Sequence, residues 1–219
     1  MKIGILFDLD GTLLDTLDDL YTATNHILRQ FGCPERSLKE VRQIVGNGAR
    51  EQVRKALPGR EDDPPLDEVF AKYLAYYNVS CEQGTAAPYP GVLEAMAQLE
   101  KKYSLAVVSN KPDPAVQALA KKHFGDVYAR GVREDCPRKP APDMVYRTME
   151  DLGVDKCVYV GDSEVDVATA KNAGVPCLTV LWGFRDKDVL EAAGATYFCE
   201  KTEDMAAMIE DIIQKELMD

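Results

Sequence analysis

The sequence predicts an α/β fold, a parallel doubly wound sheet interrupted after its first strand by an all-helical insertion, and three observations predict it. Apolar runs too continuous for a half-exposed strand recur at residues 3–7, 105–108, 157–160 and 177–181, as expected of strands covered on both faces by helices. From residue 92 onward these runs alternate with segments of helical periodicity, the signature of repeated βα units. Between residues 16 and 85 apolar residues recur instead at three- and four-residue spacing, one helix after another.

Taken in order, the apolar strand 3–7 runs straight into Asp8-Leu9-Asp10-Gly11-Thr12. Leu17, Leu20, Tyr21, Thr24, Ile27, Leu28 and Phe31 then line one face of a helix that Gly32 and Pro34 end. Ser37 and Glu40 have the spacing of a capping box ahead of Leu38, Val41, Ile44 and Val45. Gly46-Asn47-Gly48 breaks that pattern before a second short helix over 49–57. Glu61-Asp62-Asp63-Pro64-Pro65 reads as an exposed loop, and Leu66, Val69, Phe70, Tyr73, Leu74 and Tyr77 mark a longer helix. Residues 16–85 therefore form a helical domain inserted into an α/β core made of 1–15 and 86–219. After Pro88-Tyr89-Pro90-Gly91 the core resumes with a helix over 92–102, a strand at 105–109, a helix at 115–123 and a strand near 127–131. A helix at 143–152, a strand at 157–160, a helix at 165–173, a strand at 177–181, a short strand at 197–198 and a closing helix complete it.

A chain of 219 residues buries a core without staples. Its six cysteines are scattered, with no Cys-x-x-Cys pair, and read as buried small hydrophobes in a reducing compartment. Two histidines, His26 and His123, both in helical patterns, argue against a histidine-rich metal site or a Ser-His-Asp triad. A net charge of -11 argues against nucleic acid or an anionic membrane as partner. The apolar start is broken by Asp8 and Asp10, unlike a secretory signal, and no stretch has the length of a membrane span. The expectation is a soluble cytoplasmic protein acting on a small molecule; no pattern sets its oligomeric state.

Ligands of open α/β sheets bind at the carboxyl ends of the strands, and there the chain places its chemistry. Asp8 and Asp10, two apart, share one side of the edge if extended geometry persists through Leu9, and Gly11 lets the backbone turn or approach a ligand. Two carboxylates this close call for a cation, a shared proton or open water; hard oxygen donors suit Mg2+, while the plain alternative is an Asp-Gly turn closing a strand. The strand 105–108 ends in Ser109-Asn110, short polar groups able to bond an anionic oxygen or cap the next helix; Asp113-Pro114 reads as that helix's own N-cap and first residue, leaving Ser109 free. Lys139, held among Pro137, Pro140 and Pro142, could neutralise a phosphate, although alone it also reads as a solvated charge beside Arg138. Gly161-Asp162-Ser163-Glu164-Val165-Asp166 brings a third carboxylate, Asp162, to the edge, while Ser163 and Asp166 form a capping box that gives Asp166 an outer-shell or structural place.

In this order, Asp8-Leu9-Asp10-Gly11-Thr12, Ser109-Asn110, Lys139-Pro140 and Gly161-Asp162-Ser163-x-x-Asp166 resemble the four motifs of the haloacid dehalogenase superfamily, across nearly the whole chain. Pro88-Tyr89-Pro90-Gly91-Val92, Val108-Ser109-Asn110-Lys111-Pro112 and Trp182-Gly183-Phe184-Arg185 resemble its phosphoglycolate phosphatases and their close relatives. The resemblance implies a Rossmann-like core with a mobile helical cap. It implies an Mg2+-dependent phosphomonoester hydrolase acting on a small phosphorylated metabolite. Asp8 would attack phosphorus to form an aspartyl-phosphate, and Asp10 would serve as acid and then base. Asp8, Asp162 and the Asp10 backbone carbonyl would hold Mg2+, and Gly11, Thr12, Ser109, Asn110 and Lys139 the phosphate. It also implies that the turn Gly46-Asn47-Gly48-Ala49-Arg50 contacts substrate, which makes Arg50 a candidate for selectivity.

A dehalogenase needs no acid two residues after its nucleophile, so Asp10, Lys139 and Thr12 count against it. A phosphosugar mutase shares all four motifs, a pyrophosphatase would release two phosphates per substrate, and a phospho-ligand-binding regulator would be expected to lack one of Asp8, Asp10 or Asp162. None of the three is missing.

Overall fold

The computed structural model describes residues 1–57 and 65–218. The charged loop expected over 61–65 lies, Pro65 apart, outside the described residues.

Strand β1 (Ile3–Phe7) is followed by a two-residue strand β2 (Leu14–Asp15) and then by helices α1 (Leu17–Gln30), α2 (Leu38–Ile44), α3 (Ala49–Ala56) and α4 (Leu66–Gln83). The chain re-enters through β3 (Ala87–Pro88), which pairs antiparallel with β2. It continues as α5 (Val92–Leu99), β4 (Ser104–Pro112), α6 (Asp113–Phe124), β5 (Tyr128–Val132), α7 (Asp143–Leu152), β6 (Lys156–Gly161), α8 (Glu164–Ala173), β7 (Cys177–Val180), α9 (Lys187–Ala192), β8 (Tyr197–Cys199) and α10 (Met205–Ile212). Six strands form one parallel sheet in the order β5-β4-β1-β6-β7-β8.

β1 lies inside the sheet and is buried on both faces, which is why its sequence shows no polar alternation. Ile5 and Phe7 pack on one face with Val92 and Leu99 of α5, Val116 and Leu119 of α6 and Ile209 of α10. Leu6 points to the other, against Met144 and Val145 of α7 and Ala170 of α8. Register then sets the functional edge. Phe7 pairs with Val107 and with Val160, so Asp8 just after β1, Ser109 within β4 and Asp162 just after β6 lie toward the same end of the sheet; the strand expected to end at Ser109 continues to Pro112.

Helices α1 to α4, between β2 and β3, have their own apolar cluster, in which Leu20, Ile27 and Leu28 of α1 meet Val41 of α2, Val53 of α3 and Val69, Tyr73 and Tyr77 of α4. The Ser37 capping box forms as its spacing predicts, Ser37 Oγ accepting from Glu40 N–H and the Glu40 carboxylate accepting from Ser37 N–H.

The N-cap expected from Asp113-Pro114 is corrected. β4 runs on to Pro112, and Asp113 lies inside α6 as its first residue with no capping bond. Pairing of Pro112 with Val132 brings the end of β5 alongside, and the Asp113 carboxylate accepts from Gly131 N–H at 2.9 Å and pairs with Arg133 at 2.9 Å. The β2–β3 ribbon and α9 are too short for periodicity to announce them.

Candidate active site

Asp8, one residue past β1, is buried, and its backbone N–H donates to Val160 O, continuing the sheet ladder by one step. Its Oδ1 accepts from Lys139 Nζ at 2.8 Å. Lys139 is 2% exposed and reaches three further acceptors, Asp166 Oδ1 at 2.8 Å, Tyr159 Oη at 2.8 Å and Val108 O at 3.1 Å. The solvated reading of this lysine is thereby excluded. Burial opposes its charge, but the adjacent Asp166 and Asp8 carboxylates outweigh that and hold its pKa well above the ordinary lysine value.

Asp162 follows β6 and is almost fully buried. Oδ1 accepts from the Thr12 hydroxyl at 3.0 Å and Oδ2 from Phe184 N–H at 2.7 Å. Two glycines let the backbone crowd this carboxylate. Gly11 has φ +83°, and a Cβ there would stand 2.3 Å from Asp162 Oδ2; a Cβ on Gly183 would stand 2.3 Å from Asp162 Cβ. Asp166 forms the capping box with Ser163 and also turns Oδ1 to Lys139, so one residue starts α8 and anchors the site's lysine.

Carboxylate oxygens of Asp8, Asp162 and Asp166 lie within 4.8 Å of one another. Burial raises the Asp8 carboxyl to about 7, with Asp166 and Asp10 adding to the rise and Lys139 opposing it. Burial, then Asp166 and Asp8, push Asp162 well above the ordinary carboxylate range. Three buried acids, two of them bonded to the one lysine, are short of positive charge, and their hard oxygen donors fit a divalent cation such as Mg2+.

Asp8, Asp10, Ser109, Asn110 and Lys111 form the sheet side of a pocket whose roof is Gly46, Gly48, Ala49 and Gln52 from the α2–α3 turn and α3, with Tyr73 and Tyr77 from α4. Asp10 Oδ1 accepts from the Thr16 hydroxyl at 2.6 Å and pairs with Lys111 Nζ at 3.0 Å. Ser109 Oγ accepts from Lys111 N–H at 3.3 Å, leaving its own proton for a ligand. Asn110 Nδ2 donates to Lys139 O at 2.9 Å and to Gly46 O at 3.2 Å, tying the Lys139 loop and the pocket roof to β4. Its amide protons are thus engaged with backbone, as the Thr12 hydroxyl is with Asp162.

Arg50 is not brought to the pocket. It is half exposed on α3, paired with Asp67 and lying over the Phe70 ring. Sequence reasoning missed Lys111, Thr16, Tyr159 and Arg185. Tyr159 reads as one more apolar residue of a buried strand, and Lys111 sits unremarkably inside the Ser-Asn-Lys-Pro segment. Arg185, 9% exposed, pairs with Glu164 at 2.7 Å and donates to Arg42 O at 2.8 Å and Val45 O at 2.7 Å, clasping the carbonyl end of α2. In return Arg42 reaches Asp186 at 3.0 Å.

Among the described residues no helix is long and apolar enough to cross a membrane. A family model described as haloacid dehalogenase-like hydrolase matches residues 5–180. The chain is 36% identical over 192 residues to a phosphoglycolate phosphatase of Rhodobacter capsulatus, covering 84% of this chain and 87% of that protein. A phosphoglycolate phosphatase of Mesorhizobium japonicum is 35% identical over 198 residues, covering 85% and 86%. A solved structure from Lactobacillus delbrueckii subsp. bulgaricus superposes with a TM-score of 0.86 at 35% identity, covering 95% of this chain and 98% of that one.

Proposed function

The chain belongs to the haloacid dehalogenase-like hydrolases and is a phosphatase of phosphoric monoesters, and on that footing we propose that its substrate is 2-phosphoglycolate, cleaved with Mg2+ through a phosphorylated Asp8. The observation that carries the reading is Asp8 itself, buried just past the end of β1 between Lys139 and a pocket roofed by helices. The relatives named above support the substrate. Free cysteines throughout the chain favour a reducing, cytoplasmic setting.

Asp8 and Asp162, with the Asp10 backbone carbonyl, are the residues that would hold Mg2+, with Asp166 beside them on Lys139. At about 4 Å and an effective dielectric of about 20, two like unit charges repel by about 4 kcal/mol, so a phosphate dianion needs positive charge to approach Asp8. Mg2+ when bound supplies that charge and favours the ionised form of Asp8. The remaining steps fall to side chains. An Asp8 oxygen bonds to phosphorus as the phosphorus–oxygen bond of the ester breaks, and Asp10 gives its proton to the departing alkoxide. Water then attacks the phosphorus of the aspartyl-phosphate, Asp10 takes that water's proton, and phosphate and free Asp8 result. The Lys139 ammonium and the Ser109 hydroxyl would stabilise charge on the transferring group. The helical module covering the pocket acts as a cap that keeps bulk water out.

The test is phosphate release from a panel of small phosphomonoesters and pyrophosphate, with Mg2+ and with chelator. Metal-dependent turnover concentrated on 2-phosphoglycolate is expected. Preference for another ester removes the substrate assignment, and turnover unaffected by chelator removes the metal.

A further inference from the structure

Lys111 has no part in the reaction just described, yet it is a buried cation in the wall of the pocket, its side chain 2% exposed. Lysine is seldom buried to this degree without a task, since desolvating an ammonium is costly. Among the described residues that line the pocket it is the only cation. Its partners are the Asp10 carboxylate at 3.0 Å and the Tyr77 hydroxyl, to which it donates, with the ammonium 4.6 Å from the Tyr77 ring centroid.

We propose, resting on the phosphomonoesterase reading above, that Lys111 and Tyr77 form a subsite for a carboxylate on the leaving group, set one carbon beyond the ester carbon. An ammonium has three N–H donors, and Asp10 and Tyr77 occupy two. The Tyr77 O–H donates to none of the described residues, and burial keeps this phenol protonated. One N–H and one O–H therefore remain at one place, the pair that a carboxylate accepts.

Position selects the length of the leaving group. Asp10 has to reach the bridging ester oxygen. In a glycolate ester, bonds of about 1.3–1.5 Å put the carboxylate oxygens about 2.6–3.6 Å from that bridging oxygen. A cation reading such a carboxylate has to stand next to the Asp10 carboxyl, and Lys111 does, at 3.0 Å. One more methylene carries the carboxylate past this point. The nearby roof offers Val45, Ala49 and the paired amide of Gln52, bonded to Thr24 and Tyr73, so it has little for a hydroxyl-rich sugar to bond.

The experiment compares kcat/KM for 2-phosphoglycolate, 3-phosphopropionate and 2-hydroxyethyl phosphate in the unaltered protein, in Lys111→Met and in Tyr77→Phe. The unaltered protein is expected to favour 2-phosphoglycolate over both others by about tenfold or more, the scale of a charged hydrogen bond. In Lys111→Met that ratio collapses to about one, whatever loss all three esters share through Asp10; in Tyr77→Phe it falls severalfold. A uniform loss with the ratio intact makes Lys111 a positioning residue for Asp10 and overturns the subsite. Should Lys111→Met fail to fold, the chain-length series on the unaltered protein decides: no preference for the two-carbon acid overturns the proposal and leaves the phosphatase standing. Turnover of no ester at all overturns the phosphatase reading beneath it as well.

Discussion

Across one pocket, the sheet edge and the helical roof are made of different materials. The edge presents Asp8, Asp10, Asp162, Asp166, Lys111 and Lys139, most of them buried; Lys139 alone meets four acceptors, from two strands, the residue after a third strand and a helix start. The roof presents Gly46, Gly48, Ala49, Gln52 and two stacked tyrosines, with no charge among them. It touches the edge through its own backbone, Gly46 O accepting from Asn110 and Arg42 O and Val45 O from Arg185, and through one side chain, the Tyr77 hydroxyl accepting from Lys111. A preorganised charge array needs fixed positions and takes them from sheet register. A shape filter needs only a surface, and contacts made through backbone carbonyls leave its side chains free to differ.

Substitutions break this contrast in decreasing order of effect. Asp8→Asn is expected to lower phosphate release by about a thousandfold or more, because the proposed nucleophile is lost. It should leave the thermal midpoint at neutral pH unchanged or raised, since the amide removes a carboxyl that burial disfavours as an anion; full activity in the variant would rule out the covalent route. Lys139→Met strands Asp8 and Asp166 without their shared cation and is expected to cost about 3–5 kcal/mol in urea unfolding under chelator. Added Mg2+ should recover part of it, and an unchanged midpoint would mean that the edge is not held by this ion pair.

The unaltered protein tests the same array by pH. Asp8 titrates near 7 when folded, above its ordinary 3.8, and Asp162 is displaced the same way, so between these limits the folded state binds more protons than the unfolded one. Metal-free stability should therefore fall as pH rises from about 4 to about 7, and stabilisation by Mg2+ should grow over the same interval as the metal replaces protons. Thermal midpoints at a series of pH values, with and without Mg2+, give the sign directly. Arg185→Ala removes the clasp on α2 and is expected to cost about 1–3 kcal/mol, with kcat/KM lowered about tenfold and mainly through KM. Arg50→Ala, at an exposed pair on the roof's outer side, should change stability by less than about 0.5 kcal/mol and kcat/KM by less than about twofold; a tenfold loss would return Arg50 to the substrate.

The same contrast governs what can be read from the chain. Edge residues follow immediately after apolar runs, and a strand end is a local pattern, so the amino-acid order alone places Asp8, Ser109 and Asp162 at one edge. The helices and the capping boxes of Ser37 and Ser163 are legible for the same reason. Burial of Lys139 is not, because it depends on Tyr159 and Asp166 arriving from other elements. Asp113 misleads because a good capping residue next to proline says nothing of the strand that claims it. Lys111 and Arg185 carry their meaning through distant partners, Tyr77 34 positions away in one case and Arg42 and Val45 in the other.

The segment from Trp182 to Arg185 joins three separate parts of the molecule in four residues. Trp182 Nε1 donates to Thr12 O, Gly183 makes room for Asp162, Phe184 N–H holds that carboxylate, and Arg185 grips α2. Each neighbour fixes the spacing of the next, so this loop has no slack. Deleting or inserting one residue there would shift the Phe184 N–H from Asp162 and the Arg185 guanidinium from α2 in a single event, whereas most surface loops absorb such changes. Between β7 and α9, length is as constrained as the identity of the acids themselves.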